Sequence, residues 1–129
     1  MIVGIGVDIV DNRRIKKILM RFGTKFKERC FSNIEIKKSE SRSNEINTLS
    51  KRYAAKEACA KALGTGLARG VFWRDIEVLN NNYGKPYIKL YNNALKRLNE
   101  LSDSNCRVEV SLSDEKNYSI ANVIIYKNE

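Results

Sequence analysis

Residues 1–15 read MIVGIGVDIVDNRRI, and the change of period inside this stretch decides the fold. Through Ile9 the pattern is that of a strand, with Met1, Val3, Ile5, Val7 and Ile9 on one face and Ile2, Gly4, Gly6 and Asp8 on the other. Glycine inside a strand marks close approach by a ligand or another backbone. A carboxylate beside two such glycines needs a partner, because burying it alone costs several kcal/mol. Asp11 or Asn12 can then cap a helix running to about Phe22, with Ile15, Ile18, Leu19 and Phe22 as its inner stripe.

Residues 24–44 are polar and predict short helices and a loop, and a long helix spans about 45–63, closed by Gly64. DIEVLNNNYGKPYIKLY (75–91) predicts a hairpin with its turn near Asn80–Gly84 and the only proline, Pro86, within the turn. A short amphipathic helix follows around 92–101, then two strands, CRVEVSLS (106–113) and YSIANVIIY (118–126). Helices intermixed with antiparallel strands give an α+β fold, an antiparallel sheet packed with a long helix, as a single domain over 1–129.

Composition narrows the chemistry. The 129 residues hold no histidine, which excludes Ser–His and Cys–His nucleophiles and His-based zinc sites. Three cysteines, Cys30, Cys59 and Cys106, lack metal-type spacing and fit a reducing cytoplasm. No apolar run reaches the roughly 20 residues of a membrane span, and the start lacks signal-peptide features, so no membrane partner is expected. Lys and Arg outnumber Asp and Glu by 24 to 15, a net +9 that suits nucleic acid, an acidic protein or a phosphate-rich ligand, or simply a soluble surface.

On the 45–63 helix, Ile46, Leu49, Tyr53, Glu57 and Ala60 share one stripe, which places Glu57 in the packing face. Ala54, Ala55, Ala58, Ala60 and Ala62 thin the rest of the helix. Glu57 either pairs with Lys61 as an ordinary i,i+4 bridge or faces Asp8 across a gap that holds a divalent cation. Two carboxylates from different elements, completed by water and phosphate, suit magnesium. Arg52, Lys56 and Lys61 fall within reach of the same region and suit phosphates. GTGLARG after the helix is not a Walker loop; it reads as a cap and turn. Ser111 and Ser113 share the polar face of their strand.

GIGVDIVDNRRI, KRYAAKEACAKALGTG, YGKPYIKLY and VSLSDEKNYSIANVIIY, in this order and nearly end to end, resemble the successive motifs of the holo-acyl-carrier-protein synthases, a family of 4′-phosphopantetheinyl transferases. The resemblance implies a homotrimeric, magnesium-dependent, cytoplasmic enzyme of fatty acid biosynthesis, with coenzyme A as substrate and apo acyl carrier protein as partner. It implies Asp8 and Glu57 as metal ligands, and Glu57 with Lys61 as the catalytic pair. Arg52, Lys61, Gly64, Gly66, Pro86, Ser111 and Ser113 would face the coenzyme, with Arg52 suited to its 3′-phosphate. Asp114 stands where some members carry histidine. The first helix presents Arg13, Arg14, Lys16, Lys17 and Arg21 beside apolar Ile18, Met20 and Phe22, and the resemblance places Arg14, Arg21, Lys25 and Phe26 on the carrier-binding surface. The competing reading, a small basic nucleic-acid-binding module, explains the charge but gives Asp8 and Glu57 no role.

Overall fold

The N-terminal strand β1 (Ile2–Asp11) lies antiparallel beside the C-terminal strand β5 (Tyr118–Lys127), with Asp8 opposite Ala121, in a computed structural model that describes residues 1–101 and 105–128. Strand β4 (Cys106–Asp114) pairs with the other edge of β5, giving the order β1-β5-β4. A second sheet is the hairpin of β2 (Ile76–Asn80) and β3 (Pro86–Leu90). The antiparallel α+β architecture is therefore as expected, but divided into two sheets. Pro86 begins β3 opposite Asn80 instead of sitting in the turn; the first position of a strand suits a residue with no N–H for the ladder.

Among the described residues the α-helices are α1 (Asn12–Phe22), α2 (Thr24–Cys30), α3 (Asn33–Glu40), α4 (Glu45–Leu63) and α5 (Asn92–Leu101), with a 3-10 turn at Trp73–Asp75. Asp11 caps α1 by accepting from the Arg13 N–H. Ser32 and Glu35 form a reciprocal capping box on α3. Most of the polar 24–44 stretch is thus helical, because capping by Ser32 and burial of Phe26, Cys30 and Ser39 outweigh its weak apolar pattern.

Helix α4 is the centre of the molecule. From Thr48 to Leu63 every position is buried except Lys51, Glu57 and Lys61. The alanines let elements approach from all sides, so the single stripe expected from spacing does not describe it; Glu57 is half-buried at the margin, not in the middle of a packing face. The sheet β1-β5-β4 covers one side through Val10, Val110, Val123 and Ile125, and each such side chain contributes about 1.5–3 kcal/mol when fully buried. Gly4 and Gly6 lie directly against the backbone of α4: a Cβ on Gly6 would collide with the Ala58 carbonyl oxygen, and one on Gly4 with that of Ala62. The glycines therefore mark approach by a backbone.

Lys56, expected near Asp8, points the other way. It is wholly buried, its ammonium donating to Glu35 at 2.8 Å, to the Trp73 carbonyl at 3.0 Å and to the Ile76 carbonyl. Glu35 in turn accepts from the Val78 N–H at 3.1 Å, so one ion pair fastens α3, α4 and β2 together with every donor occupied.

The opposite face of the larger sheet is bare. Ile5, Val7 and Ile9 are 66%, 50% and 63% exposed, and Ile120 on β5 lies directly across from Ile9.

Candidate active site

Asp8 reaches the surface where β1 crosses α4. Its neighbour Gly6 sets that crossing, because only a glycine lets the strand descend onto the helix backbone. Lys61 curls back over the seam, its ammonium donating to Asp8 Oδ1 and to the Val7 carbonyl, both at 3.1 Å. Glu57 stands one turn earlier on the same side of α4. Its carboxyl is held above the usual carboxylate range, first by burial and then by the Asp8 charge, against the opposing pull of Lys61 and Arg14. Asp8, Glu57 and Lys61 therefore form one cluster, two carboxylates and a cation on a surface seam.

This donor set fits a hard divalent cation. Among the described residues no group of three or more His, Cys, Asp or Glu side chains gathers at one point. Two carboxylates with open positions are what magnesium takes from a protein when phosphates and water supply the remainder.

Arg14 projects from the first turn of α1 toward the same seam, its guanidinium 5.9 Å above the Tyr53 ring. Arg13 is occupied differently: it grips Asp11 with two side-chain hydrogen bonds of 2.8 and 2.9 Å and donates to the Tyr118 hydroxyl at 3.3 Å. Arg21 lies over the Phe22 ring at 5.1 Å. Phe22, expected in the inner stripe, is 50% exposed, because α2 rather than the core continues beneath the end of α1.

Beyond Tyr53 an apolar cavity of about 470 Å³ opens between α1 and α2, walled by Ile18, Phe22, Phe26, Tyr53 and Trp73, with Lys25 among its lining residues. Trp73 stacks on Tyr53 at 4.4 Å, and Phe26 meets Phe31 edge to face at 5.8 Å. Trp73 went unnoticed in the sequence; as the single tryptophan flanking a hairpin, it carried no periodic signal.

The other candidate residues are dispersed. Arg52 is buried on a different face of α4, donating to Asn80 Oδ1 at 2.6 Å. Its Nε is buried with no partner, and burial lowers its pKa. It borders a second cavity of about 330 Å³ with Lys38, Asn80 and Tyr87. Gly64 takes the left-handed conformation at φ 81° that ends α4, and Gly66 has φ 62° with open space where a side chain would stand. Ser111 and Ser113 lie on the bare sheet face, away from α4, and Pro86 is half-buried in the hairpin. Asp114 is engaged by Asn47 Nδ2 at 2.9 Å and Lys51 Nζ at 3.3 Å. Of the candidate residues, Asp8, Glu57, Lys61 and Arg14 gather at the seam.

A family model described as the 4′-phosphopantetheinyl transferase superfamily matches residues 4–123. The holo-[acyl-carrier-protein] synthase of Rhizobium rhizogenes is 49% identical over 125 residues, covering 97% of this chain and 93% of that protein. The fold is similar to the crystal structure of the Neisseria meningitidis holo-[acyl-carrier-protein] synthase, with a TM-score of 0.86 at 38% identity over 98% of this chain and 100% of that one. It also matches the Bacillus anthracis synthase solved in complex with coenzyme A (3′,5′-ADP), with a TM-score of 0.81 at 33% identity, covering 99% of each chain. Matched over almost its whole length, the chain belongs to the holo-[acyl-carrier-protein] synthase family of the 4′-phosphopantetheinyl transferase superfamily.

Proposed function

We propose that the chain transfers the 4′-phosphopantetheine group of coenzyme A to a serine hydroxyl of apo acyl carrier protein, releasing adenosine 3′,5′-bisphosphate, in the cytoplasm and with magnesium as cofactor. The observation that carries this reading is the convergence of Asp8 and Glu57 from β1 and α4, with Lys61 on Asp8. Phosphoryl transfer needs positioning and charge neutralisation more than covalent chemistry, so a chain without histidine is adequate to it.

Asp8 and Glu57 would hold the cation, which when bound supplies charge neutralisation at the pyrophosphate oxygens. The serine Oγ–phosphorus bond forms at the β-phosphorus while the bond from that phosphorus to the bridging oxygen breaks. Glu57, or a water that it orients, takes the serine proton. Lys61 has a half-exposed side chain free to leave Asp8, and it steadies the phosphate and donates to the leaving oxygen. Arg52, with its unpartnered Nε beside a cavity, suits the 3′-phosphate; Gly64 and Gly66 let the backbone approach the coenzyme, and Pro86, Ser111 and Ser113 complete its surroundings.

Those last residues lie apart from Asp8 in a single chain, which supports a site shared between copies. The bare apolar face of Ile5, Val7, Ile9 and Ile120 supports a homotrimer that covers it. Arg14 and Arg21 on α1, with Lys25 and Phe26 at the cavity between α1 and α2, would meet the acidic carrier.

The test is transfer of a fluorophore from labelled coenzyme A to purified apo carrier protein, with magnesium and with a chelator. Labelled carrier in magnesium alone is the expected result. No label under either condition, with salt-sensitive binding of DNA or RNA instead, would return the chain to the nucleic-acid reading.

A further inference from the structure

Helix α1 rests on a narrow apolar stripe. Within it only Asn12 and Ile15 are buried, while Met20 and Phe22 stand exposed. Ile15 holds the helix to the core, with Ile18 and Leu19 packed partly against it, but aliphatic contacts are non-directional and do not sharply fix rotation about the helix axis. Asn12 does. Its backbone N–H donates to the Asn117 carbonyl at 2.8 Å, and its Nδ2 donates to the carbonyls of Glu115 and Lys116 at 3.1 and 3.3 Å. Its Oδ1 accepts from the Ser119 hydroxyl at 2.7 Å. Every polar group of the side chain is thus spent on the turn between β4 and β5 and on Ser119 just inside β5. That turn is itself braced against α4, where Asn47 and Lys51 hold Asp114.

A leucine would fill the same volume but would specify no orientation, and it would leave the Ser119 hydroxyl and two carbonyls without their partner. The cost of a buried amide is accepted here at the start of the helix that carries Arg14 and Ile18. We propose that Asn12 is a positioning residue for carrier docking: it sets the rotation of α1, and so the direction in which Arg14 and the apolar wall of the cavity face the carrier, by tying the helix to the β4–β5 turn. The proposal rests on the transfer activity and docking face proposed above. It assigns Asn12 no contact with carrier or coenzyme.

The experiment compares the full-length parent chain with Asn12→Leu, Ser119→Ala and the double variant. Initial rates are measured against carrier at saturating coenzyme A, and against coenzyme A at saturating carrier. Asn12→Leu should raise the KM for carrier about tenfold and leave that for coenzyme A within twofold. Backbone amide exchange should accelerate across α1 and residues 115–118 and stay unchanged in α4. An unchanged carrier KM in folded Asn12→Leu, or two KM values rising together, overturns the proposal. Where Asn12→Leu does not fold, Ser119→Ala is read in the same way, with a rise of about threefold expected and no rise overturning it. Should the parent chain transfer nothing, the proposed function falls by itself. Amide exchange then decides whether Asn12 fixes α1, and unaltered protection in α1 means that it does not.

Discussion

Lys61 spans the seam between β1 and α4 to place its ammonium 3.1 Å from Asp8 Oδ1, while Glu57 stands one turn earlier on the same helix. In the free protein the lysine occupies the charge that a cation would take. Lys61→Met should therefore tighten magnesium binding in the absence of coenzyme A while lowering turnover by about 10²–10³, the cost of one lost transition-state donor. Calorimetric titration with magnesium and single-turnover rates read the two effects separately. Weaker magnesium binding in the variant would show that the lysine does not compete for the carboxylate.

The two carboxylates are proposed to act through one ion. Asp8→Asn and Glu57→Gln should each reduce turnover by orders of magnitude, and the double variant should be far less than additively worse. Full additivity would separate their roles.

Glu57 also gives a signature in stability. Burial and then the Asp8 charge hold its carboxyl above the ordinary carboxylate range, so the metal-free fold binds the proton better than the unfolded chain does. The stabilisation is present at low pH and lost as pH climbs from about 4.5 through the raised folded value. Glu57→Gln should thus unfold at a higher temperature than the parent at pH 7, with the gap closing toward pH 4. Thermal scans across that range, without metal, check the sign.

Gly6→Ala tests the close crossing. The added methyl would strike the Ala58 carbonyl, a backbone atom that cannot swing aside. Overpacking of this kind costs about 1–3 kcal/mol or more, visible as a lower urea midpoint. Turnover should fall further than stability does, because Asp8 rides on the displaced strand.

Arg13 and Arg14 are adjacent and look equivalent in sequence, yet Arg13 is bound to Asp11 while Arg14 stacks above Tyr53. Arg14→Glu should raise the KM for carrier by at least tenfold and barely touch that for coenzyme A. Arg13→Glu should chiefly loosen the start of α1 and lower thermal stability. Equal effects on carrier KM from both would mean that the helix as a whole, and not Arg14, attracts the carrier.

The glycine-flanked strand, the long helix and the terminal strands were all legible in the chain, because period and capping report local structure directly. The ion pair of Lys61 with Asp8 was not: spacing along the helix offered Glu57 as the partner of Lys61, and only the crossing of β1 over α4 brings Asp8 within its reach. Lys56 was misread because a charge in an alanine-rich helix looks solvated unless its partner is known, and Glu35 lies 21 residues away on another helix. Arg52 sits four residues earlier, and its direction depends on the hairpin that buries it. Tertiary partners, not local pattern, decide which way such side chains turn.

The pairing of β1 with β5 also governs how the molecule is made. Asp8 lies opposite Ala121, so β1 leaves the ribosome long before the strand that completes it. At about 5–20 residues per second, β1 waits roughly 5–20 s with an unpaired edge and an apolar face in the open. Contacts so distant in sequence close slowly after release as well. The same strand that carries the aspartate of the site is therefore the segment most in need of shelter during synthesis.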